Sequence, residues 1–299
     1  MNKTHIVTVV NSNYETVYEN LSRAISSVGG LRLKGCESVV IKINLCDFRT
    51  PETGATTHPL FLEAVLRYLR ENYDNQKIYV VESDATVALP DLFVRWFGLI
   101  SVIQEWGAIW CNLSKQKLKR KEIEGRHFRE IGVPEILDGS YFITLPKMKT
   151  SSVTKISCAL KNQFGCLPIR KKIQFHPYID DVIVDVNLAM HPDFCIVDGI
   201  IAMGGSQGPT FGIPIPANLI VAGQDPVSVD SACAKIMGFE PSSISHIKKA
   251  HESQVGSMHY HMVDKEMEKI RVDFQWDPLQ SIVMSMGTRL RARVRPPEG

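Results

Sequence analysis

The chain has 299 residues, 44% of them hydrophobic and 22% charged, with a formal net charge of +2. Such a composition can bury one large α/β core or two smaller ones, and so even a balance gives no global electrostatic case for nucleic acid or a membrane. No run of about 18 apolar residues occurs, so no transmembrane helix is expected, and the N-terminal MNKTHIVTVVNSNYE turns polar too soon for a signal peptide.

Residues 6–10 are a β-branched run and the first expected strand. Apolar residues at 14, 17, 18, 21, 24, 25 and 28 then recur with a helical period, closed by Gly29-Gly30. Strand 38–45 (SVVIKINL) carries Lys42 and Asn44 in its second half. After the loop CDFRTPETGATTHP, helix 59–73 begins with Pro59 in its first turn and Thr57 or His58 at its N-cap. Strand 77–81 ends on Glu82-Ser83-Asp84. This β-α-β-α-β alternation predicts a mostly parallel, Rossmann-like α/β sheet with helices on both faces.

Residues 92–97 and 100–106 read as helices broken at Gly98, and 108–113 as a strand. KQKLKRKEIEGRH at 115–127 is a charged excursion, read as a solvated hairpin because Glu122 and Glu124 interrupt its positive run. The chain is taken as a single α/β domain over 1–299; two lobes would divide near 115–130. Strand 140–145 ends on Pro146-Lys147-Met148-Lys149, 152–164 is expected as a short helix stopped by Gly165, and 179–190 as a helix. Strand 194–197 should stop on Asp198-Gly199. Gly204, Gly205, Gly208 and Gly212, with prolines at 209, 214 and 216, punctuate residues 204–216 too heavily for a helix or a long strand. Strand 219–222, helices 226–237 and 243–253 (the latter capped by Ser242 or Ser243) and strand pieces near 270–274 complete the order. The tail RLRARVRPPEG is expected as a strand fading into a frayed end.

Seven cysteines, at 36, 46, 111, 158, 166, 195 and 233, form no C-x-x-C, so neither a zinc ribbon nor a ferredoxin-type cluster is written here. They are expected as reduced, small core residues of a cytoplasmic protein.

Ligands of open α/β sheets gather outside the carboxyl ends of the strands. Those ends carry Lys42, Asn44 and Asp47, then Glu82 and Asp84, Lys147 and Lys149, Asp198, and finally Gln224 and Asp225, all expected to face one crevice. Lysines beside carboxylates suit a small anionic ligand, because each lysine keeps its charge until the ligand replaces its partner. Ser151, Ser152 and Thr154 supply hydroxyls at the start of the expected helix 152–164, whose N-terminus is an anion site. Lys155 and Lys161 are six residues apart and so fall on different helix faces, which assigns Lys161 and Asn162 to another part of the site. His176 is the chosen general base, since its FHP loop follows a lysine-rich stretch; His58 and His191 read as structural. The glycine loop is followed by prolines and another strand, so it is no dinucleotide fingerprint, and it lacks G-K-[ST]. Gly205, Gly208 and Thr210 are read as ligand contacts through close backbone approach. Asp198, Asp225, Asp230 and His176 have no spacing that enforces a metal cage, so no metal is assigned. Asp230, inside a helix, reads as the partner of a buried amide or lysine.

Seven motifs carry a resemblance: VVIKINL at 39–45, TGATTHPLFLEAVLRYL at 53–69, YFITLPKMKT at 141–150, TKISCALKNQFGCLP at 154–168, FHP at 175–177, IVDGIIAMGGSQGPTFG at 196–212 and LIVAGQDPVSVDSACAKIMGF at 219–239. In that order and spacing the chain resembles domain-of-unknown-function family 362, a prokaryotic family. The resemblance implies the α/β fold and a site, and it adds weight to His176 and to the lysines of 147–161. Some relatives carry a cluster-binding ferredoxin module; this chain lacks its cysteines, so that function is not carried over. A looser likeness to the nickel-pincer lactate racemase family is one of fold only. Together these residues predict an enzyme acting on a small anionic metabolite by acid–base or covalent chemistry. His176, Lys161, Lys149 and Asp198 are its catalytic set. Lys42, Asn44, Thr57, Lys147, Ser152, Thr154, Asn162, Gly205, Gly208 and Thr210 are its binding set. The alternatives are a cofactor- or metal-holding redox accessory without its own cluster, and a nucleic-acid binder acting through 115–129 and the arginine tail. The residues name no cofactor, and a homodimer stays open.

Overall fold

A computed structural model describes residues 4–73, 76–86, 88–206 and 211–294, with backbone alone for 291–294. The first half alternates as the periods predict: β1 (Ile6–Asn11), α1 (Val17–Ser27), β2 (Ser38–Lys42), α2 (Pro59–Asn72), β3 (Lys77–Glu82), α3 (Pro90–Trp96), α4 (Leu99–Glu105) and β4 (Ile109–Asn112). Punctuation sets the boundaries. Pro59 opens α2 and the His58 ring accepts from the Leu60 N–H at 3.3 Å, while Gly98 in the left-handed region separates α3 from α4.

The charged excursion forms the hairpin β5 (Leu118–Glu122) and β6 (Glu130–Pro134). Lys115, Lys119 and Arg120 in and beside it pair with Asp91, Asp138 and Glu130, and Lys121 donates to the Ala189 carbonyl. There follow β7 (Ser140–Thr144), β8 (Lys147–Ser151), β9 (Lys155–Ser157), a single turn α5 (Ala159–Asn162), α6 (Ile179–Ala189), β10 (Phe194–Gly204), β11 (Ile213–Ile215), β12 (Leu219–Gly223), α7 (Pro226–Ile236), α8 (Ser245–Glu252), β13 (His261–Met262) and α9 (Pro278–Val294).

The main sheet runs β13-β1-β12-β10-β7-β2-β3-β4. Its neighbours are parallel except around β12, which is antiparallel to both β1 and β10. Helices cover both faces. On one, Val39, Ile41 and Ile43 meet Leu21, Ile25, Phe61 and Leu66 of α1 and α2. On the other, Val40, Phe142 and Val197 meet Val182 and Val229 of α6 and α7. Period-two alternation therefore puts Lys42 and Asn44 on the α6/α7 side, at the strand's carboxyl end. No helix among the described residues is long and apolar enough to cross a membrane.

The structure corrects five expectations. Residues 152–164 form the turn of a β8–β9 hairpin and then one helical turn, not a helix. Lys155 takes φ 64 at the turn, and Thr154 Oγ1 donates to the Ile156 carbonyl at 2.9 Å, a local bond that competes with helix. The strand at 194 does not stop on Asp198. It continues to Gly204 by exchanging partners, from β7 at Phe194 and Cys195 to β8 at Asp198 and Met203, with a register break between the last two. β12 is reversed because β10 returns through β11 without a crossover helix. Gln224 and Asp225 therefore lie at the opposite end of the sheet from Asp198. Helix α8 starts after Ile244 with no serine side chain capping it. Finally, the described part of the tail, through Val294, is helical and 270–274 is not strand. Asp277 accepts from the N–H groups of Leu279 and Gln280 at 2.8 and 3.1 Å just before Pro278, the same Asp-Pro start that opens α7.

Candidate functional site

The site is built on β8. Its residues alternate, so Lys147, Lys149 and Ser151 form one row, and each meets a different partner. Lys147 Nζ lies 2.8 Å from Asp198 Oδ2 on the neighbouring strand, with both side chains essentially inaccessible to solvent. Lys149 Nζ donates to Asn44 Oδ1 at 2.5 Å and to the Ala55 carbonyl at 2.8 Å, with Cys46 Sγ at 3.1 Å. Ser151 Oγ accepts from Lys161 Nζ at 2.7 Å. A buried ammonium is costly unless a charge or several dipoles replace its water. Lys147 has a carboxylate; Lys149 and Lys161 make hydrogen bonds to dipoles and, among the described residues, no ion pair, with Asp180 acting on Lys161 from farther off.

Asparagines hold the middle of the row. Asn44 Nδ2 donates to Asn162 Oδ1 at 3.1 Å, and Asn162 Nδ2 reaches Thr144 Oγ1 at 2.9 Å. Thr57 fixes Asn44 from behind, its Oγ1 accepting the Asn44 N–H at 2.8 Å and its own N–H donating to the Asn44 carbonyl at 3.0 Å. The α5 turn that carries Lys161 and Asn162 is anchored by Asp230, whose carboxylate accepts from Ala159 and Leu160 N–H at 2.6 and 3.1 Å. Burial raises the Asp230 carboxyl to about 7. Asp230 is thus the partner of buried amides that its helical position suggested.

Charge is unevenly distributed along the row. Burial first, and then the neighbouring Lys149, bring the Lys161 amine down to about 8. Burial also depresses Lys147, against the pull of Asp198. His176 is brought down to about 4 by burial, then by Lys161 and Arg289, and its Nδ1 has no hydrogen-bond partner among the described residues. His246 is fully buried and 3.7 Å from Asp180 Oδ1; burial lowers it, with Asp180 opposing and Lys161 adding to the fall. At the Lys147 end, Tyr14 stacks on His58 with ring centroids 3.8 Å apart. Burial and Asp198 push the Tyr14 phenol far above its usual value, and burial lowers His58.

Of the residues singled out in the sequence, the structure brings Lys149, Lys161, Asn44, Asn162 and Thr57 into one neighbourhood, with His176 facing Lys161 and the Lys147–Asp198 pair adjoining. Lys42 shares the sheet face of Asn44 but is committed to Glu82 at 2.8 Å, beside Lys172, which donates to Ser83 Oγ at 2.7 Å. Ser152 and Thr154 fail as a helix N-terminal anion site, because they lie in the hairpin turn and the Thr154 hydroxyl is spent on the Ile156 carbonyl. Both backbone polar groups of Gly205 are taken up within the protein. Its N–H donates to the Phe274 carbonyl at 2.8 Å and its own carbonyl accepts from Thr150 Oγ1 at 2.6 Å. Gly208 and Thr210 lie outside the described residues. Asp225 pairs with His5 at 2.8 Å at the far end, and His191 bonds the Val255 carbonyl as a structural residue.

Tyr14, Cys46, Lys172, His246 and Arg289 were missed. For Tyr14 the signal was its place three residues past the end of β1; the others come from segments whose approach no local pattern records. Cavities of about 540 and 580 Å³ open around His5, His251 and Ser257 instead. The lysine row is the better candidate for chemistry, since buried, perturbed ionisable groups mark functional sites more directly than open volume does. Among the described residues no three His, Cys, Asp or Glu side chains come together to hold a metal ion.

The profile of the family described as domain of unknown function (DUF362) matches residues 39–235. That span runs from β2 into α7 and includes the whole lysine row. The thylakoid-associated protein sll1697 of Synechocystis sp. is 31% identical over 235 residues, 75% of this chain and 71% of that protein. Among solved structures, the lactate racemase apoprotein from Thermoanaerobacterium thermosaccharolyticum aligns with a TM-score of 0.46 and 11% identity over 78% of this chain. The chain covers 57% of that protein, less than two thirds of its length. By the family profile and the similar cyanobacterial protein together, the chain belongs to the DUF362 family.

Proposed function

We propose that the chain is an enzyme that binds a small anionic metabolite between Lys149, Lys161 and His176 and uses the Lys161 amine as a base or nucleophile. The observation that carries this reading is the pair Lys149–Lys161, two ammonium groups held together with dipoles and, among the described residues, no ion-paired carboxylate, Asp180 pulling on Lys161 only as the weakest of the influences on it. An anion entering there meets two charges without an ion-pair partner, the most favourable electrostatic change the row offers. With its amine near 8, Lys161 is about one-tenth unprotonated at pH 7, against less than about one part in a thousand for an ordinary lysine. That fraction supports proton abstraction or attack on a carbonyl. Ser151 holds the amine in place. Asn44 and Asn162 orient Lys149. His176, neutral at physiological pH, offers Nδ1 to a bound group. Lys147–Asp198 is mutually neutralised and serves to hold β8 on β10.

The test is thermal stabilisation of wild type, Lys149→Ala and Lys161→Ala by a panel of phosphate, monocarboxylates, dicarboxylates and 2-oxo acids. Stabilisation by one class, lost in both variants, supports the site; equal stabilisation of all three proteins removes it. For the nucleophile role, borohydride reduction in the presence of a 2-oxo acid should add the mass of the reduced adduct at Lys161, the imine having formed with loss of water. A base leaves no adduct.

A further inference from the structure

Helix α9 is amphipathic in the reverse sense. Ser281, Met284, Ser285, Thr288 and Arg289 share the face turned to the protein and are buried or half-buried. The Ser281 hydroxyl reaches the Ser152 carbonyl at 3.4 Å, and Arg289, its Nε without a hydrogen-bond partner among the described residues, lies close enough to His176 to lower its pKa. The apolar face points away. Leu279, Ile282, Val283, Met286 and Leu290 are 55–76% exposed, at the i, i+3, i+4, i+7 spacing of one helical stripe. Nothing among the described residues covers them. Phe48 and Phe211, 58% and 66% exposed, sit on two loops joined by the Arg49 guanidinium donating to the Gly212 carbonyl at 2.7 Å, and Ser206, just past β10, accepts from the Asp277 N–H at the start of α9.

The charge of this segment is equally one-sided. From 278 to 297 there are four arginines (289, 291, 293, 295) and no acidic residue, so the rest of the chain carries +2 − 4 = −2. An exposed apolar stripe followed by arginines matches the two layers of an anionic lipid surface, acyl chains and headgroup phosphates. The stripe offers roughly 500 Å² of apolar surface, short of the ~800 Å² per partner that stable protein dimers bury, which favours lipid over a second copy. We propose that α9 lies on the surface of an anionic membrane by its outward face, seating the protein as a peripheral membrane protein without crossing the bilayer. The proposal does not rest on the enzymatic reading.

Flotation of the full chain with vesicles tests it. Vesicles of phosphatidylcholine with a quarter phosphatidylglycerol should carry the protein, and pure phosphatidylcholine vesicles should carry at least tenfold less. Binding should fall at least tenfold at ~0.5 M salt, as screening of arginine–headgroup attraction requires. The triple variant Leu279→Ser, Val283→Ser, Met286→Ser alters exposed positions only and should keep its circular dichroism spectrum while losing flotation. A protein that floats with neither vesicle overturns the proposal. So does a concentration-dependent dimer in sedimentation that the triple variant turns into a monomer, which would assign the stripe to a second copy.

Discussion

Lys161 donates to Ser151 Oγ at 2.7 Å, and after burial itself the group that most depresses its charge is a second ammonium, Lys149. The α5 turn and strand β8 thus hold like charges together in the unliganded protein. That is a local electrostatic cost, and it is tolerable because Asp230, Asn44 and Asn162 fix the backbone and amides around it.

Removing that cost should stabilise the empty protein. Lys161→Met keeps the stem and deletes the charge, and should raise unfolding free energy at pH 7 by about 1–3 kcal/mol. The folded pKa, about 8, lies below the unfolded value of roughly 10.4, so the cost of the buried charge is absent above the unfolded value, grows as pH falls, and is complete below 8. Wild-type stability should therefore rise between pH 8 and pH 10, and the advantage of Lys161→Met should shrink there. Urea denaturation of both proteins across that range measures it; a variant less stable than wild type at pH 7 would contradict it.

Anion affinity should run the other way. Protonated Lys161 attracts the ligand, so the association constant should be flat below about pH 7 and fall by up to about tenfold per unit above 8, the limit for one linked proton. Calorimetric titration with the anion that stabilises the protein reports this directly. If Lys161 is the base, the saturated rate rises through the same region while affinity declines. Coincident fall of both would assign Lys161 to binding alone.

The Lys147–Asp198 pair is a structural clamp and should behave as one. Its side chains are buried and 2.8 Å apart. Either Lys147→Met or Asp198→Leu alone strands a buried charge and should cost about 3–5 kcal/mol, whereas the double replacement should recover most of that loss. Chemical denaturation of the four proteins gives the coupling energy. Additive losses would show that the two charges do not compensate each other.

Gly54 holds the loop that carries Ala55 against β10. Its φ is 75, and a Cβ there would stand 2.2 Å from the Ala202 carbonyl oxygen. Gly54→Ala should destabilise by upward of about 2 kcal/mol. It should also weaken anion binding, because the Ala55 carbonyl is one of the groups that holds Lys149. Melting temperature and ligand-induced stabilisation check both halves.

Much of this protein was written locally. The alternation SVVIKINL fixed β2 and placed Lys42 and Asn44 on one face, because successive side chains of a strand point to opposite sides. The periods of α1, α2 and α6 were read within a few residues. PKMKTS carried the same strand alternation as β2, a row of Lys147, Lys149 and Ser151, but the hydroxyls beyond it read as a helix start. Asp277-Pro278 opened α9 as plainly as Asp225-Pro226 opened α7, though the arginines after it suggested a frayed strand.

Residue types, caps and periods, which act over a few positions, determined the α/β layers and the concentration of lysines at strand ends. Tertiary structure decided strand direction and charge compensation. β12 is reversed because β10 returns through β11, and a glycine- and proline-rich connection encodes no direction. That one reversal sent Asp225 to the far end of the sheet and left Asp198 to Lys147. Which lysines keep a carboxylate and which keep only dipoles depends on register between distant strands, and Coulomb energy follows distance in space rather than in sequence.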